Sequence, residues 1–264
     1  MILFYGRYSP SVWAVICKGE IVYKKFFKRF FDIITSLIAI LLTALPLLVI
    51  CIIVKCESKG PAIFKGERVG KDGKLFKCYK VRTMNCSAPK DCASKDLDSD
   101  KYITKVGKFL RKSSLDELPQ FYNVLKGDMS IVGPRPACPS EKELNGLREK
   151  NGSLTVRPGV TGLAQVNGRD VLAFNIYHKA EMDGEYVKDI TLWKDLKIFF
   201  KTFIVVFKAD CVVEGQGKQT DVGSPQPKSE IDQTVAEEVA VQDAQEKDKQ
   251  EAQVPTEQAE GKEE

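Results

Sequence analysis

The sequence predicts an α+β fold, mostly helical, in which a small β-hairpin region and several short helices form a body carried on one long apolar helix near the N-terminus. Three observations predict it. Ile33 to Val54 is a run of 22 residues without a charge, long enough as a helix to reach across a hydrocarbon core of ~30 Å. Residues 60–84 pair two extended stretches around Gly70-Lys-Asp-Gly73, the pattern of a hairpin. From Val106 to Leu125 and from Leu192 to Phe207, apolar residues recur at helical spacing.

Taken in order, residues 1–24 form an N-terminal segment and 25–59 hold the apolar helix. Lys18, Lys24, Lys25, Lys28 and Arg29 precede the apolar run, and Lys55, Lys59, Lys65 and Arg68 follow it. Basic flanks belong on the cytoplasmic side of a membrane, and here both flanks are basic. Pro46, near the middle, removes one helix hydrogen bond and crowds the preceding turn. A helix broken there dips into the bilayer and returns; a kinked single span is the alternative, and these residues leave both open. The run starts too late and is too long for a secretory signal.

Residues 60–214 form the body. Residues 85–101 read as a loop, 139–150 and 172–190 as helices, and Gly133-Pro-Arg-Pro136 as a rigid non-helical segment. Ser113-Ser114 is a candidate cap before Asp116-Glu117. Leu192–Lys208 sets Trp193, Leu196, Phe199, Phe200 and Phe203 among Lys194, Lys197 and Lys201. Such a basic amphipathic helix lies in a membrane interface or packs its apolar face on the core. Residues 215–264 carry 13 acids, 5 bases and no aromatic residue, so they are expected to be a disordered acidic tail.

The whole chain of 264 residues has a net charge of +4, but the tail's deficit leaves a strongly basic body. No stacking or groove-reading element accompanies it, so nucleic acid is not an expected partner. A lipid-binding scaffold accounts for the charge asymmetry as well as an enzyme does. The eight cysteines form no C-x-x-C pair and the one histidine completes no zinc set.

The chemistry-bearing residues are more telling. Asp116 and Glu117 are adjacent carboxylates near a helix start, a frequent arrangement by itself. Around them in sequence, Lys80, Arg82, Arg111, Arg135, Arg157 and Arg169 fall in segments punctuated by Gly and Pro. Arginine presents a rigid fork to phosphate, and two prolines restrict the backbone beside Arg135. A carboxylate nucleophile with a neighbour holding Mg²⁺ suits phosphorus chemistry.

In this order, KRFFDII, the apolar run with its proline, GPAIFKGERVG, KCYKVRTM, ITKVGKFLRKSSLDELPQFYNVLKGDMSIVGPRP and RPGVTGLAQVNGRD resemble the bacterial sugar transferase family, the monotopic polyprenol-phosphate phosphoglycosyl transferases. The resemblance covers about residues 24–210 and is expected to represent the short catalytic unit, without the extra amino-terminal membrane helices of longer members. It implies transfer of a sugar phosphate from a UDP-sugar to polyprenol phosphate, in this setting undecaprenyl phosphate, with release of UMP. Asp116 is then the nucleophile and Glu117 the Mg²⁺ ligand. Lys80, Arg82, Arg111, Arg135, Arg157 and Arg169 are the implied substrate phosphate-binding residues. The resemblance also implies a monotopic membrane protein whose re-entrant helix breaks at Pro46. Its catalytic domain would face the cytoplasm at the bacterial inner membrane and feed downstream glycosyltransferases of glycan assembly.

The chain departs from the family's pattern at Leu45 (often Ser), Gly66 (often Gln) and Tyr102 (often Arg). Thr43 is the expected substitute for the missing hydroxyl, bonding back along the helix. Residues 85–101 and 137–155 are the expected seat of sugar specificity.

Overall fold

The computed structural model describes residues 22–88, 101–167 and 175–208. Residues 1–21 of the N-terminal segment, most of the 85–101 loop, Arg169 and the acidic tail lie outside the described residues.

A π-helical turn, Tyr23–Phe27, leads into α1, Lys28–Glu57. The expected apolar helix runs through Pro46: α1 covers 30 residues with Pro46 inside it. Proline removes only one hydrogen bond from such a helix, and an apolar stretch offers the remaining backbone groups no competing partner. Thr43 Oγ1 does bond back, donating to the Ala39 carbonyl at 2.6 Å.

Both ends of α1 rest on the same body. At the start, Lys28 Nζ donates to Asp195 Oδ2 at 2.6 Å, and Arg29 donates to the Val124 and Leu125 carbonyls. Asp32 Oδ1 accepts from Ser130 Oγ and from the Ile131 N–H. At the other end, Val54 packs with Ala62, Val81 and Leu110. Between residues 37 and 46 no side chain is buried.

After α1, β1 (Ile63–Val69) and β2 (Leu75–Val81) form the expected antiparallel hairpin, with Ile63 opposite Val81 and Val69 opposite Leu75. Asp72 turns the corner with a positive φ of 55°. α2 (Lys105–Lys112) is capped by Thr104, whose Oγ1 accepts from the Gly107 N–H at 2.9 Å. The expected cap at Ser113-Ser114 is corrected: Ser113 Oγ bonds back to the Phe109 and Leu110 carbonyls, and Ser114 takes a left-handed backbone. That residue turns the chain into a single 3₁₀ turn, Leu115–Glu117, followed by α3, Gln120–Lys126.

The parallel pair β3 (Ser130–Val132) and β4 (Gly159–Thr161) is joined through α4, Lys142–Lys150. Then come α5 (Leu163–Val166), α6 (Ile176–Lys188) and α7 (Leu192–Lys208). The core gathers Val124, Met129, Ile131, Val132, Tyr186 and Ile198 between these elements. α7 does two jobs. Asp195 and Ile198 are buried in the body, while Trp193, Phe200, Phe203 and Ile204 stay exposed.

Candidate active site

Two short elements meeting at a left-handed residue present Asp116 and Glu117 toward the hairpin, and both are buried. Glu117 is the better anchored. Its Oε1 takes Lys80 Nζ from β2 at 3.0 Å and Arg135 Nη2 at 2.6 Å, while Arg135 Nη1 lies 3.5 Å from Oε2. Beside Glu117, the Arg135 guanidinium is held even more firmly in its charged form than an ordinary arginine.

Asp116 accepts no hydrogen bond among the described residues. Burial pushes its carboxyl pKa up, the Glu117 charge pushes the same way, and Lys80, Arg135 and Arg111 pull it back. Arg111 is aimed by its neighbour: its Nε donates to Thr83 Oγ1 at 2.9 Å. The site is therefore a pair of carboxylates of unequal standing inside a ring of three cations.

The rigidity expected of Gly133-Pro-Arg-Pro136 has a packing cause in the later Arg157-Pro-Gly159 and Thr161-Gly162 segments. A Cβ on Gly133 would stand 2.6 Å from the Arg157 carbonyl oxygen, one on Gly159 2.2 Å from the Gly133 nitrogen, and one on Gly162 2.2 Å from the Gly133 oxygen. Three backbones touch where only glycine fits, and Arg135 projects from the clamped segment.

Of the sequence-expected residues, Asp116, Glu117, Lys80, Arg111 and Arg135 converge here. Two do not. Arg82 closes the end of α1, donating to the Ser58 carbonyl at 2.7 Å, to Val54 O at 3.2 Å and to Lys59 O at 2.8 Å. Buried carbonyls at a helix C-terminus claim a guanidinium as strongly as phosphate does. Arg157 Nε donates to the Gly127 carbonyl behind α3, at 2.8 Å. Arg169 lies outside the described residues. Two contributors were missed: Thr83, which orients Arg111, and Asn123. Asn123 is fully buried, accepting from the Tyr79 N–H at 3.0 Å and donating to Lys77 O at 2.8 Å, and so fixes the strand that carries Lys80. A polar residue at an inward helical position was the available signal.

A bacterial sugar transferase family model matches residues 23–209. The chain belongs to the bacterial sugar transferase family. It is 43% identical over 201 residues to an undecaprenyl-phosphate galactose phosphotransferase of Salmonella typhimurium, covering 70% of this chain and 41% of that protein. It is 46% identical over 193 residues to a UDP-glucose:undecaprenyl-phosphate glucose-1-phosphate transferase of Klebsiella pneumoniae, covering 69% and 40%. A protein of the same name in Caulobacter vibrioides is 38% identical over 180 residues, covering 66% of this chain and 67% of that protein. The chain thus spans about two fifths of the length of the first two relatives and two thirds of the third.

Proposed function

We propose that this chain transfers a sugar 1-phosphate from a UDP-sugar to undecaprenyl phosphate and releases UMP. The observation that carries this reading is the inequality of the two carboxylates: Glu117 is neutralised by Lys80 and Arg135, while Asp116, beside it, is left without a hydrogen-bond partner among the described residues. In the first half-reaction an Asp116 oxygen attacks the phosphorus bearing the sugar. The bond to the bridging oxygen breaks and its electron pair leaves with UMP. In the second, a phosphate oxygen of the lipid attacks the same phosphorus, the bond to Asp116 breaks, and the carboxylate is restored. Lys80, Arg111 and Arg135 hold the phosphoryl oxygens and offset their charge.

Mg²⁺ at Glu117 belongs to the same reading: this ion takes a few carboxylate oxygens plus substrate phosphate, and here it would share the Glu117 carboxylate with Lys80 and Arg135. When bound at Glu117 it would add charge neutralisation at the diphosphate.

Membrane attachment through α1 belongs to the same reading. A 30-residue apolar helix, bare between residues 37 and 46 and packed on one body at both ends, suits a dip into one leaflet with the site at the cytoplasmic face of the inner membrane. The exposed face of α7 suits the interface beside it. The product, a lipid diphosphate sugar, is an acceptor for glycosyltransferases that extend lipid-linked glycans in capsule or exopolysaccharide assembly.

The test incubates the membrane-bound protein with a panel of UDP-sugars, with and without Mg²⁺ and polyprenol phosphate. UMP formed before the lipid is added supports the covalent route. UMP formed only after lipid addition indicates direct transfer, and none from any sugar overturns the function.

A further inference from the structure

On the hairpin, directly paired residues point to the same side. Phe64 stands opposite Lys80, Gly66 opposite Cys78 and Arg68 opposite Phe76. This side faces the body: Cys78 is buried in the main core with Val124 and Met129, and Lys80 reaches Glu117. Phe76, on the same side, packs against that core, and Ile63, on the other, against the Val54 cluster. Among the described residues Phe64 packs on neither of these, nor on the Leu144 cluster, and it is only half-buried. A large ring withheld from the core on the working side of a sheet is apolar surface open to a ligand.

Gly66 decides where that ring lies. A Cβ at Gly66 would stand 2.8 Å from Phe64 Cε1 and 3.4 Å from Cζ. The far end of the ring thus occupies the space that a side chain would take. Arg68 Nη1, 3.5 Å from the same point, closes the other side and donates to the Glu67 carbonyl at 2.7 Å. The ring is held one cross-strand step from Lys80, about 5 Å between Cβ atoms. Lys80 lies 3.0 Å from Glu117, which Arg135 takes at 2.6 Å. These two cations keep 25% and 32% of their side chains exposed, so the site is open to a ligand beside the ring.

We propose that Phe64 is the platform for the sugar of the donor, packing against the C–H face of its hexose ring, and that Gly66 leaves the room in which the ring is seated. The assignment rests on the function proposed above, in which Lys80, Arg111 and Arg135 hold the attacked phosphoryl group. The hexose is joined to that phosphorus through a single oxygen, whereas uracil is separated from it by a second phosphate and the ribose. A ring one cross-strand step from Lys80 is therefore placed for the sugar and too near for the base. Hexoses carry apolar C–H groups between their hydroxyls, and covering these with an aromatic face gains affinity without a hydrogen bond.

The test compares UDP-glucose, UDP-galactose and UDP-N-acetylgalactosamine with UDP, which has both phosphates and no sugar, on the detergent-purified full chain. Calorimetry gives binding, and UMP release gives kcat/KM. For the UDP-sugar that wild type binds best, Phe64→Ala should weaken binding and lower kcat/KM about tenfold, the scale of a lost apolar contact in a substrate pocket. UDP binding should stay within about twofold. Phe64→Tyr, which keeps the ring, should restore most of the loss. Gly66→Ala should reproduce part of it by displacing the ring, and should add nothing in the Phe64→Ala background. Thermal unfolding checks that the variants fold, and Gly66→Ala, which deletes no side chain, is the independent second variant. An equal loss for UDP overturns the platform, because Phe64 would then act through Lys80 and the phosphates. Unchanged UDP-sugar binding in both single variants overturns it as well, and an additive loss in the double variant overturns the role of Gly66. Wild-type protein that binds these UDP-sugars through Phe64 but releases no UMP would overturn the reaction and leave the platform standing.

Discussion

Arg135 closes on Glu117 as a fork, with Nη2 2.6 Å from Oε1 and Nη1 3.5 Å from Oε2. Lys80 takes the same Oε1 at 3.0 Å. One carboxylate of the pair is thereby committed to cations and the other is left available. Asp116→Asn, which keeps size and removes the charged oxygen, is expected to lower UMP release by at least about 10⁴-fold, the scale of losing a nucleophile. Lys112→Ala, at an exposed position on α2, should stay within about threefold of wild type, as surface changes generally do. Quantifying UMP from a radiolabelled UDP-sugar separates the two; full activity in the Asp116 variant would sink the nucleophile assignment.

The glycine contact behind Arg135 makes a second prediction. A methyl at Gly159 must displace backbone, because its Cβ would stand 2.2 Å from the Gly133 nitrogen. Gly159→Ala should cost about 1–3 kcal/mol by overpacking and lower turnover further by moving Arg135. Gly73→Ala, where the added Cβ meets nothing within 4 Å although φ is +72°, should reduce stability through backbone strain alone and leave turnover per folded molecule unchanged. Unfolding curves and kcat measured on both variants check the contrast.

How much of this was legible follows from the range of each interaction. The apolar run of α1 and the Gly70–Gly73 corner are local patterns, and both elements formed where expected. Asp116-Glu117 with Lys80, Arg111 and Arg135 was legible through the resemblance of ordered motifs. Arg82 and Arg157 were not, because a guanidinium in a Gly/Pro-punctuated segment looks the same whether it binds phosphate or a carbonyl 30 residues away. The run through Pro46 was also hidden, since a proline predicts a lost bond but not whether the helix unwinds. Lys179 and Arg148 stand in ordinary helical patterns, and their importance arises only from packing between α4 and α6.

That packing supports a third prediction. Arg148 and Asp183 are each 2% exposed at the side chain, and Nε donates to Oδ2 at 2.9 Å. Removing one partner strands a buried charge, so Asp183→Leu alone should cost about 3–5 kcal/mol. Arg148→Met added to it should recover most of that loss, because well-packed apolar pairs often replace buried ion pairs without penalty. Denaturant titration of the two single variants and the double variant in detergent gives the coupling directly; additive losses would show that the pair does not act as a unit.

Lys179 carries the pH prediction. Its folded pKa, about 8, lies below the ordinary 10.5, so between those values the unfolded chain holds more protons at this site than the native one. Stability from this group therefore rises as pH increases from about 8 toward 10.5 and is lowest below 8. Arg148, Arg135, Glu141 and Asp183 face it, and the arginines stay charged throughout that window. Relative to wild type, Lys179→Met should be more stable at pH 7, with the advantage shrinking by pH 10. A constant difference between the two proteins across that range would show that Lys179 is not desolvated.

The outer face of α7 allows a test of membrane contact that needs no catalysis. Trp193 is 80% exposed on the side of the helix opposite Ile198, which is buried at 2%. An indole left in water on a folded protein emits at long wavelength and is open to aqueous quenchers. One seated about 5–10 Å into the headgroup boundary is shifted to the blue and shielded. The chain has two tryptophans, so replacing Trp13 by Phe isolates the signal. In bilayers of anionic phospholipid, Trp193 should be quenched by lipids brominated near the headgroup and protected from acrylamide. Trp193→Lys should leave the fold intact, since the core side of α7 is untouched. It should also weaken adsorption to vesicles more than Lys112→Ala, at an exposed position on α2. Equal acrylamide quenching with and without vesicles would mean that α7 points into water and that α1 alone holds the protein at the membrane.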